Sequence, residues 1–408
     1  MTFTSPSRTL ARLSIVLLAA ACSSSSSGPT GGSGGATTGG SGGATGGSGG
    51  APTGGSGGAG GSDAGAGGAA ASKVVVYVSG YDDASIAVYG FQAGTLTART
   101  SAPAGMAPSY LTVAPSKKFL YASDEVEAST VTAYAIGADG GLTKLNTVAT
   151  GGKGTSHLAI SPDGKWIVAA NYDSDDVSVL GLNADGSVGA KSDQQPGCPS
   201  AHNILFDPSG NFLLAACKSD PMVMPTDPKK DSPRILPFAF AAGKLTAGAP
   251  VTFGADPRHL AFDASHKHVY AMTEAGNALY WFDYDSATGK VSNPQMVTAL
   301  DAGAKPGAGG HLAWNGSFLY AGNRTDGSIA IFSVDASGKP SSVGWQKTGT
   351  AWIREFAFDP SGKYLIAGNQ MASTVTVFAV DAAGKLTAAG TPTTVKGHPA
   401  MVLVLELP

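Results

Sequence analysis

Short runs in which apolar and polar residues alternate, separated by tight turns, fill the chain from Lys73 onward. The stretch Ile353–Val380, IREFAFDPSGKYLIAGNQMASTVTVFAV, shows the pattern most cleanly. FAF and TVTVFAV have the period of two that puts alternate side chains on one face of a strand, and YLIAG is a mostly apolar strand between them. Asp-Pro-Ser-Gly makes the turn, because Pro presets φ at the second position and Gly tolerates a left-handed exit. No helical period is sustained in residues 73–408, which predicts an all-β domain.

The same phrase recurs along the chain: PSYLTVAPSKKFLYASDEVEASTVTAYAI, SHLAISPDGKWIVAANYDSDDVSVLGL, HNILFDPSGNFLLAACK, RHLAFDASHKHVYAMTEAGNALYWFDY and GGHLAWNGSFLYAGNRTDGSIAIFSV precede it. A partial unit, KVVVYVSGYDDASIAVYGF, begins at Lys73 without its innermost strand, and that strand reappears at the other end as PAMVLVLEL, Pro399–Leu407. Seven units over 336 residues average 48 each, the size of a four-stranded propeller blade. The expected fold is a seven-bladed β-propeller in which N- and C-terminal strands pair within one blade and remove two open edges. A two-sheet sandwich would not explain the constant period or the split unit.

A repeat allows positions to be compared within one chain. Counted from the Pro of each turn (Ala264 in the fifth unit; the sixth turn is one residue shorter), a leading column stands at the start of the innermost strand: Ser109, Ser156, His202, Arg258, Gly310 and Arg354, with Ala400 as counterpart in the closing strand. One residue later come Tyr110, His157, Asn203, His259, His311 and Glu355. A trailing column, where the second strand leaves the sheet, holds Glu125, Tyr172, Lys218, Glu274, Arg324 and Gln370. Innermost strands line a propeller's channel, so polar residues of many kinds should converge on one mouth of it, where such a fold places its site. An Arg at a strand start is more often a solvated or carbonyl-bonded structural residue than a ligand. The non-equivalence of these positions from blade to blade is what points to a site. His266 and His268, in ASHKH, read as exposed turn residues.

Composition narrows the function. Net charge is −3 and only 13% of residues are charged, so there is no basic footprint for nucleic acid. Arg8 and Arg12 precede the short apolar run Leu13–Ala21, which ends in LLAAAC, so residues 1–21 read as a signal peptide. The run is far below the ~20 residues a membrane span needs. Small residues leading into Cys22 resemble a bacterial lipobox, although Ala19 stands where Leu is commoner; the expectation is a lipidated Cys22 and an envelope protein touching the membrane only through that anchor. Residues 23–72 repeat GGSGGA-like units with a single charge, Asp63, and read as a flexible tether with a reach of about 40 Å. With three Cys there is no disulfide framework; Cys198 and Cys217 could pair in an oxidising compartment or remain buried thiols.

Taken in order, PSYLTVAP, SPDGKWIVAANY, AHNILFDPSG, DPRHLAFD, AGNRTDGSIAIF, IREFAFDPSGKYLIAGNQ and the terminal HPAMV resemble the propeller-type lactonase family, which includes a 6-phosphogluconolactonase and a fungal carboxymuconate cycloisomerase. The resemblance covers essentially all of residues 73–408. It implies lactone-ring hydrolysis, with the catalytic His falling on His202, the Arg of the PRH motif on Arg258, the Glu after the fifth-unit strand on Glu274 and the Arg of the NR pair on Arg324. Arg354, His311, His259 and Gln370 are second-rank positions for substrate binding. An imidazole with an ordinary pKa near ~6.5 suits a general base, and two guanidinium groups suit a carboxylate or phosphate. The sequence leaves open which of His202 and Glu274 is the base.

The chain departs from the family where Ser200 replaces the first residue of a His-x-His. It departs again where SDPMVMPTDPKKDSP follows Cys217–Lys218, and where Asp173–Ser–Asp–Asp176 replaces a Gly-rich loop. No metal signature is present, because the His are spread one per blade and no carboxylate stands beside them; no cofactor is implied. The implied partner is a small-molecule lactone or anionic sugar derivative bound by a monomer. An exported, non-catalytic propeller that binds a ligand or a protein is the alternative, and export counts against a sugar-phosphate lactone made inside the cell.

Overall fold

The turn chemistry works as its residues dictate. At Asp359–Gly362 the Gly362 N–H donates to the Asp359 carbonyl at 2.9 Å, Gly362 takes φ +67°, and the Asp359 carboxylate accepts the Tyr364 N–H at 2.7 Å. Asp207 repeats these contacts with Gly210 and Phe212. A Cβ at such a glycine would carry the strain of the left-handed region, which is why the turn ends in Gly.

The structure is a computed structural model that describes residues 73–219, 232–350 and 352–408. It contains seven antiparallel sheets. Blade 1 is ordered Pro399–Glu406, Val74–Gly80, Asp83–Gln92, Thr95–Pro103 from the channel outward. Blade 2 runs from Leu111–Val113 through Phe119–Asp124 and Thr130–Ile136 to Leu142–Ala149. Blade 3 comprises Thr155–Ile160, Trp166–Asn171, Asp176–Leu182 and Val188–Pro196. Blade 4 comprises Ala201–Phe206, Phe212–Cys217, Arg234–Ala241 and Lys244–Ala247; blade 5 comprises Pro257–Phe262, His268–Thr273, Ala278–Asp285 and Lys290–Thr298. Blade 6 comprises Gly309–Trp314, Phe318–Asn323, Ser328–Val334 and Pro340–Lys347. Blade 7 comprises Ile353–Phe358, Tyr364–Asn369, Thr374–Val380 and Leu386–Ala388, with Thr393–Thr394 also paired to the third strand. The predicted seven-bladed propeller and its split blade are both present. The innermost strands follow one another around a closed ring.

Closure rests on the register of Val74–Gly80 with Pro399–Glu406, which sets Val76 opposite Val404 and Val78 opposite Val402. Val76, Val78 and Val402 pack with Ile366 and Val375 of blade 7, while Tyr77 and Leu405 pack with Leu111 and Leu120 of blade 2. The core is thus a series of apolar layers between neighbouring blades. Buried tyrosines of second strands add a polar stitch: the hydroxyls of Tyr77, Tyr121, Tyr270 and Tyr320 donate to the carbonyls of Gly140, Gly186, Gly338 and Gly384, each in the following blade.

One expectation is revised and one open alternative is resolved. His268 is not an exposed turn residue: it begins a strand, is buried, and its Nδ1 lies 2.9 Å from Asp263 Oδ2. Cys198 and Cys217 form a disulfide. The leader, Cys22, the Gly/Ser tether and most of the insertion after Ser219 lie outside the described residues. Among the described residues no helix is long and apolar enough to cross a membrane.

The closing strand is latched by Asp82. Its carboxylate accepts the His398 backbone N–H and meets the His398 ring, both at 2.7 Å. Partial burial works to raise the Asp82 pKa, but the His398 hydrogen bonds and charge outweigh it and hold the carboxyl below its ordinary range. A depressed folded pKa stabilises above the unfolded value of about 3.9 and ceases to do so as pH falls through the folded value. Asp82→Asn should therefore lower stability by about 0.2–1 kcal/mol at pH 7, the range for an exposed pair. The difference from wild type should shrink in guanidinium titrations as pH falls below the unfolded value of about 3.9, and be lost once pH has passed the lower folded value.

Candidate active site

Each second strand ends in a residue of the trailing column, and the closed ring turns those residues toward one mouth of the channel. Glu274, at the end of His268–Thr273, is the hub. Its Oε2 contacts Lys218 Nζ of blade 4, and Arg258 Nε lies 3.5 Å from the same oxygen. Its Oε1 lies 2.6 Å from Arg324 Nη2 of blade 6. Arg324 is fixed from behind, with Nε donating to the Gly309 carbonyl at 2.7 Å and its guanidinium 5.0 Å from the centre of the Trp352 ring. At the leading position of blade 6, Gly310 leaves room for this side chain: a Cβ there would meet Arg324 Cγ at 3.2 Å.

Arg258 is fully buried, and none of its three guanidinium nitrogens completes a hydrogen bond. Its nearest charged partners are Glu274, and Glu355 Oε1 at 3.6 Å from Nη1. Burial, then repulsion from Arg324 and Arg354, pulls its pKa down to about 10, so it stays protonated at neutral pH. Donors left open in so dry a position are the normal complement of a bound anion or ordered water. Arg354 completes the cationic arc, stacking on Tyr81 at 4.6 Å and donating to the Tyr81 hydroxyl, which in turn donates to Glu125 Oε2 at 2.6 Å.

His202 stands on the wall of this arc, its ring 5.2 Å from that of His259 and 6.1 Å from that of Tyr172. Burial, then the charges of Arg258 and Lys218, pushes its pKa well below the ordinary imidazole value, so the ring is neutral and a weaker base than a free imidazole until an anion offsets those cations. That corrects the expectation of an ordinary imidazole pKa. For Glu274, burial alone would raise the pKa, but Arg324, Lys218 and Arg258 hold it well below the usual range. A carboxylate committed to three cations is a poor base.

The loop that departs from the family pattern is structural. Asp175 Oδ1 accepts the Ser200 N–H at 2.8 Å, and its carbonyl accepts the N–H groups of Gly197 and Cys198. With the Cys198–Cys217 disulfide, these bonds set the approach to His202 and the position of Lys218.

The structure therefore brings His202, Arg258, Glu274, Arg324 and Arg354 to one mouth. His259 and His311 sit one residue deeper, against Glu355, and line a cavity of about 520 Å³ that extends to the turn residues Pro162, Pro208 and His266 at the far end of the innermost strands. Gln370 lies in a single 3-10 turn, Gln370–Ala372, with its N–H on the Trp352 carbonyl at 3.0 Å. Lys218 belongs to the trailing column but was not singled out by sequence reasoning, and Tyr81 was missed. Tyr81 is the trailing residue of the split blade: it follows Val74–Gly80 as Glu274 follows His268–Thr273, and strand-end register alone would have found it.

A family model described as "Lactonase, 7-bladed beta-propeller" matches residues 75–404. The chain belongs to this lactonase family. It is 30% identical over 299 residues to the 6-phosphogluconolactonase of Pectobacterium carotovorum, covering 71% of this chain and 85% of that one. It is 28% identical over 313 residues to the 6-phosphogluconolactonase of Bacillus subtilis, with 71% and 86% covered. A crystal structure of a candidate 6-phosphogluconolactonase from Bacteroides uniformis superposes with a TM-score of 0.73 at 26% identity, covering 81% of this chain and 99% of that one. The periplasmic gluconolactonase of Pseudomonas aeruginosa shares the fold, with a TM-score of 0.71 at 24% identity over 82% of this lactonase-family chain and 100% of its own.

The Glu274 hub predicts strong coupling to Lys218. Lys218→Met and Glu274→Gln should each lower the thermal midpoint, and the double variant should lose less than the sum. A double-mutant cycle should return a coupling energy of about 0.5–3 kcal/mol; simple additivity would show that the two residues do not act together.

Proposed function

We propose that this protein hydrolyses the lactone ring of an anionic or polyhydroxylated sugar acid at the His202 mouth. The observation that carries the reading is Arg258: a fully buried guanidinium with every donor open, beside a neutral His and two further cations gathered on Glu274. The family and the names of its relatives support the same reaction class.

A lactone carbonyl placed against Arg258 and Arg324 would have its oxygen polarised by donors that need no reorganisation. His202 takes a proton from a water as its oxygen bonds to the carbonyl carbon. The negative charge passes to the carbonyl oxygen, facing the guanidinium groups. Collapse re-forms the carbonyl and breaks the bond to the ring oxygen, which receives the proton from His202. The products are an alcohol and a carboxylic acid on one opened chain, and the acid releases its remaining proton to solvent to become a carboxylate. Glu274 keeps three cations from repelling one another and takes no proton. Lys218, Arg324 and Arg354 outline a rim that favours a carboxylate or phosphate on the substrate.

The same reading places the protein in the cell envelope. Its support is the leader-like segment before Cys22 and the disulfide, which belongs to an oxidising compartment. An envelope lactonase would meet unphosphorylated sugar lactones, so gluconolactone-type substrates are expected to be turned over at least as well as phosphorylated ones.

Two experiments test these statements. With a panel of sugar lactones, with and without phosphate, His202→Asn should lower kcat by about 10²–10⁴-fold with KM little changed, the usual scale of a lost general base. Arg258→Gln should raise KM and lower kcat together, most for substrates bearing an acid group. Wild-type turnover no faster than these variants on every lactone would replace the enzyme with a binding propeller. For the anchor, a palmitate analogue fed to cells should label the wild-type chain and leave Cys22→Ala unlabelled; equal labelling would remove the lipoprotein from the proposal.

A further inference from the structure

The layer beneath the cationic mouth holds a second constellation that the lactonase chemistry does not use. His259 of blade 5, His311 of blade 6 and Glu355 of blade 7 occupy equivalent positions in three successive innermost strands. Each offers one ligand atom, and the three atoms lie within 4.8 Å of one another. His259 Nε2 is 3.1 Å from Glu355 Oε1, His311 Nδ1 contacts Glu355 Oε2, and the two Nδ1 atoms are 3.3 Å apart.

The cluster is only partly satisfied from within, through the hydrogen-bond contact of the two Nδ1 atoms. His259 Nε2 and Glu355 Oε2 are both buried and neither completes a hydrogen bond, although charged or polar atoms lie beside them. His259 and Glu355 are 2% and 4% exposed in their side chains, so water does not satisfy them from outside. A buried imidazole nitrogen and a buried carboxylate oxygen that stand at contact distance without completing a hydrogen bond suit two corners of a small coordination polyhedron. On the far side, His259 and His311 line the cavity of about 520 Å³, which gives an ion a path in and leaves its remaining positions open. Arg258 does not forbid the ion: the Glu355 carboxylate stands next to the guanidinium, with Oε1 toward it, and Oε2 is the oxygen against His311.

We propose that His259, His311 and Glu355 form a binding site for a divalent transition metal of the zinc class, open toward this second cavity. Two imidazoles and one carboxylate are the donor set of three-coordinate protein sites that keep a position for water or a small ligand. The proposal does not rest on the lactone reading: its two imidazoles line the opposite chamber, and Glu355 is the one ligand that also stands beside Arg258.

Cobalt(II) titrated into the metal-stripped full-length chain should bind at about one equivalent, develop visible d–d bands, and be displaced by zinc(II). His311→Ala and Glu355→Gln should each weaken binding by at least about 10–100-fold, the scale on which even outer-shell partners act. Cys22→Ala and His398→Ala should bind as wild type does. X-ray absorption of the zinc-loaded wild type should show imidazole scattering with zinc–nitrogen distances of about 2.0–2.1 Å. That measurement stands even if a ligand variant fails to fold. Absence of stoichiometric cobalt or zinc in the dialysed wild type, a spectrum without imidazole, or unaltered binding in both folded ligand variants would overturn the proposal.

Discussion

Everything at the channel depends on the ladder between Val74–Gly80 and Pro399–Glu406. A four-stranded sheet with apolar residues on both faces cannot stand alone; each blade is buried only by its neighbours, and the first and last would each present an uncovered face and an unpaired edge. Pairing the two ends of the chain in one sheet answers both problems. It also fixes the number of blades and hence the width of the channel. The residues that meet at Glu274 come from blades 4, 5 and 6, and Arg354 comes from blade 7. None of those contacts is local, so none survives unless the ring is closed.

Burial energetics explain why the mouth is better read as a site than as reinforcement. Taking charges out of water costs several kcal/mol per ion, and a buried pair often does no better than apolar residues of the same volume. A propeller needing only stability would fill these positions with small apolar or hydroxyl side chains, as it does at Ser109, Ser156, Gly310 and Ala400 in the same leading column. Blades 4, 5 and 7 instead carry His202, Arg258 and Arg354. The expense falls on one side of the ring, and Glu274 offsets only part of it. A ligand carrying negative charge would complete the arrangement.

The fold was legible because the signal is repeated: turn, period-two alternation and split unit recur often enough that an irregular copy does no harm. The candidate site was legible where the repeat could serve as a ruler. His202, Arg258, Glu274 and Arg324 fall on columns, and the structure brings them together. Tyr81 escaped because its blade is divided between the chain ends, so the turn used for counting has no copy before it. Glu355 was seen in its column, yet its closeness to His259 and His311 was not, because sequence spacing of about a blade hides a spatial contact across three adjacent strands. His268 was misjudged from its polar neighbours, though Asp263 at the other side of the same turn gives it a buried partner. The Cys198–Cys217 pairing needed the strand register, which sets Ala201 beside Cys217.

The pleat of the innermost strands carries the last step. Successive residues of a strand point to different surroundings, so Arg258 and His259, or Arg354 and Glu355, are neighbours in sequence with different duties. The first of each pair serves the mouth above, and the second helps form the layer of Tyr110, His157, Asn203, His259 and His311 that lines the cavity beyond. His157 and Asn203 are satisfied within that layer, through the Asn203 amide on His157 Nε2 at 2.8 Å and the Leu260 N–H on Asn203 Oδ1 at 3.2 Å. The channel is therefore two chambers sharing one floor. Glu355 touches both, with Oε1 shared between Arg258 and His259 and Oε2 against His311, so its charge is the physical link through which occupancy of one chamber would be felt in the other.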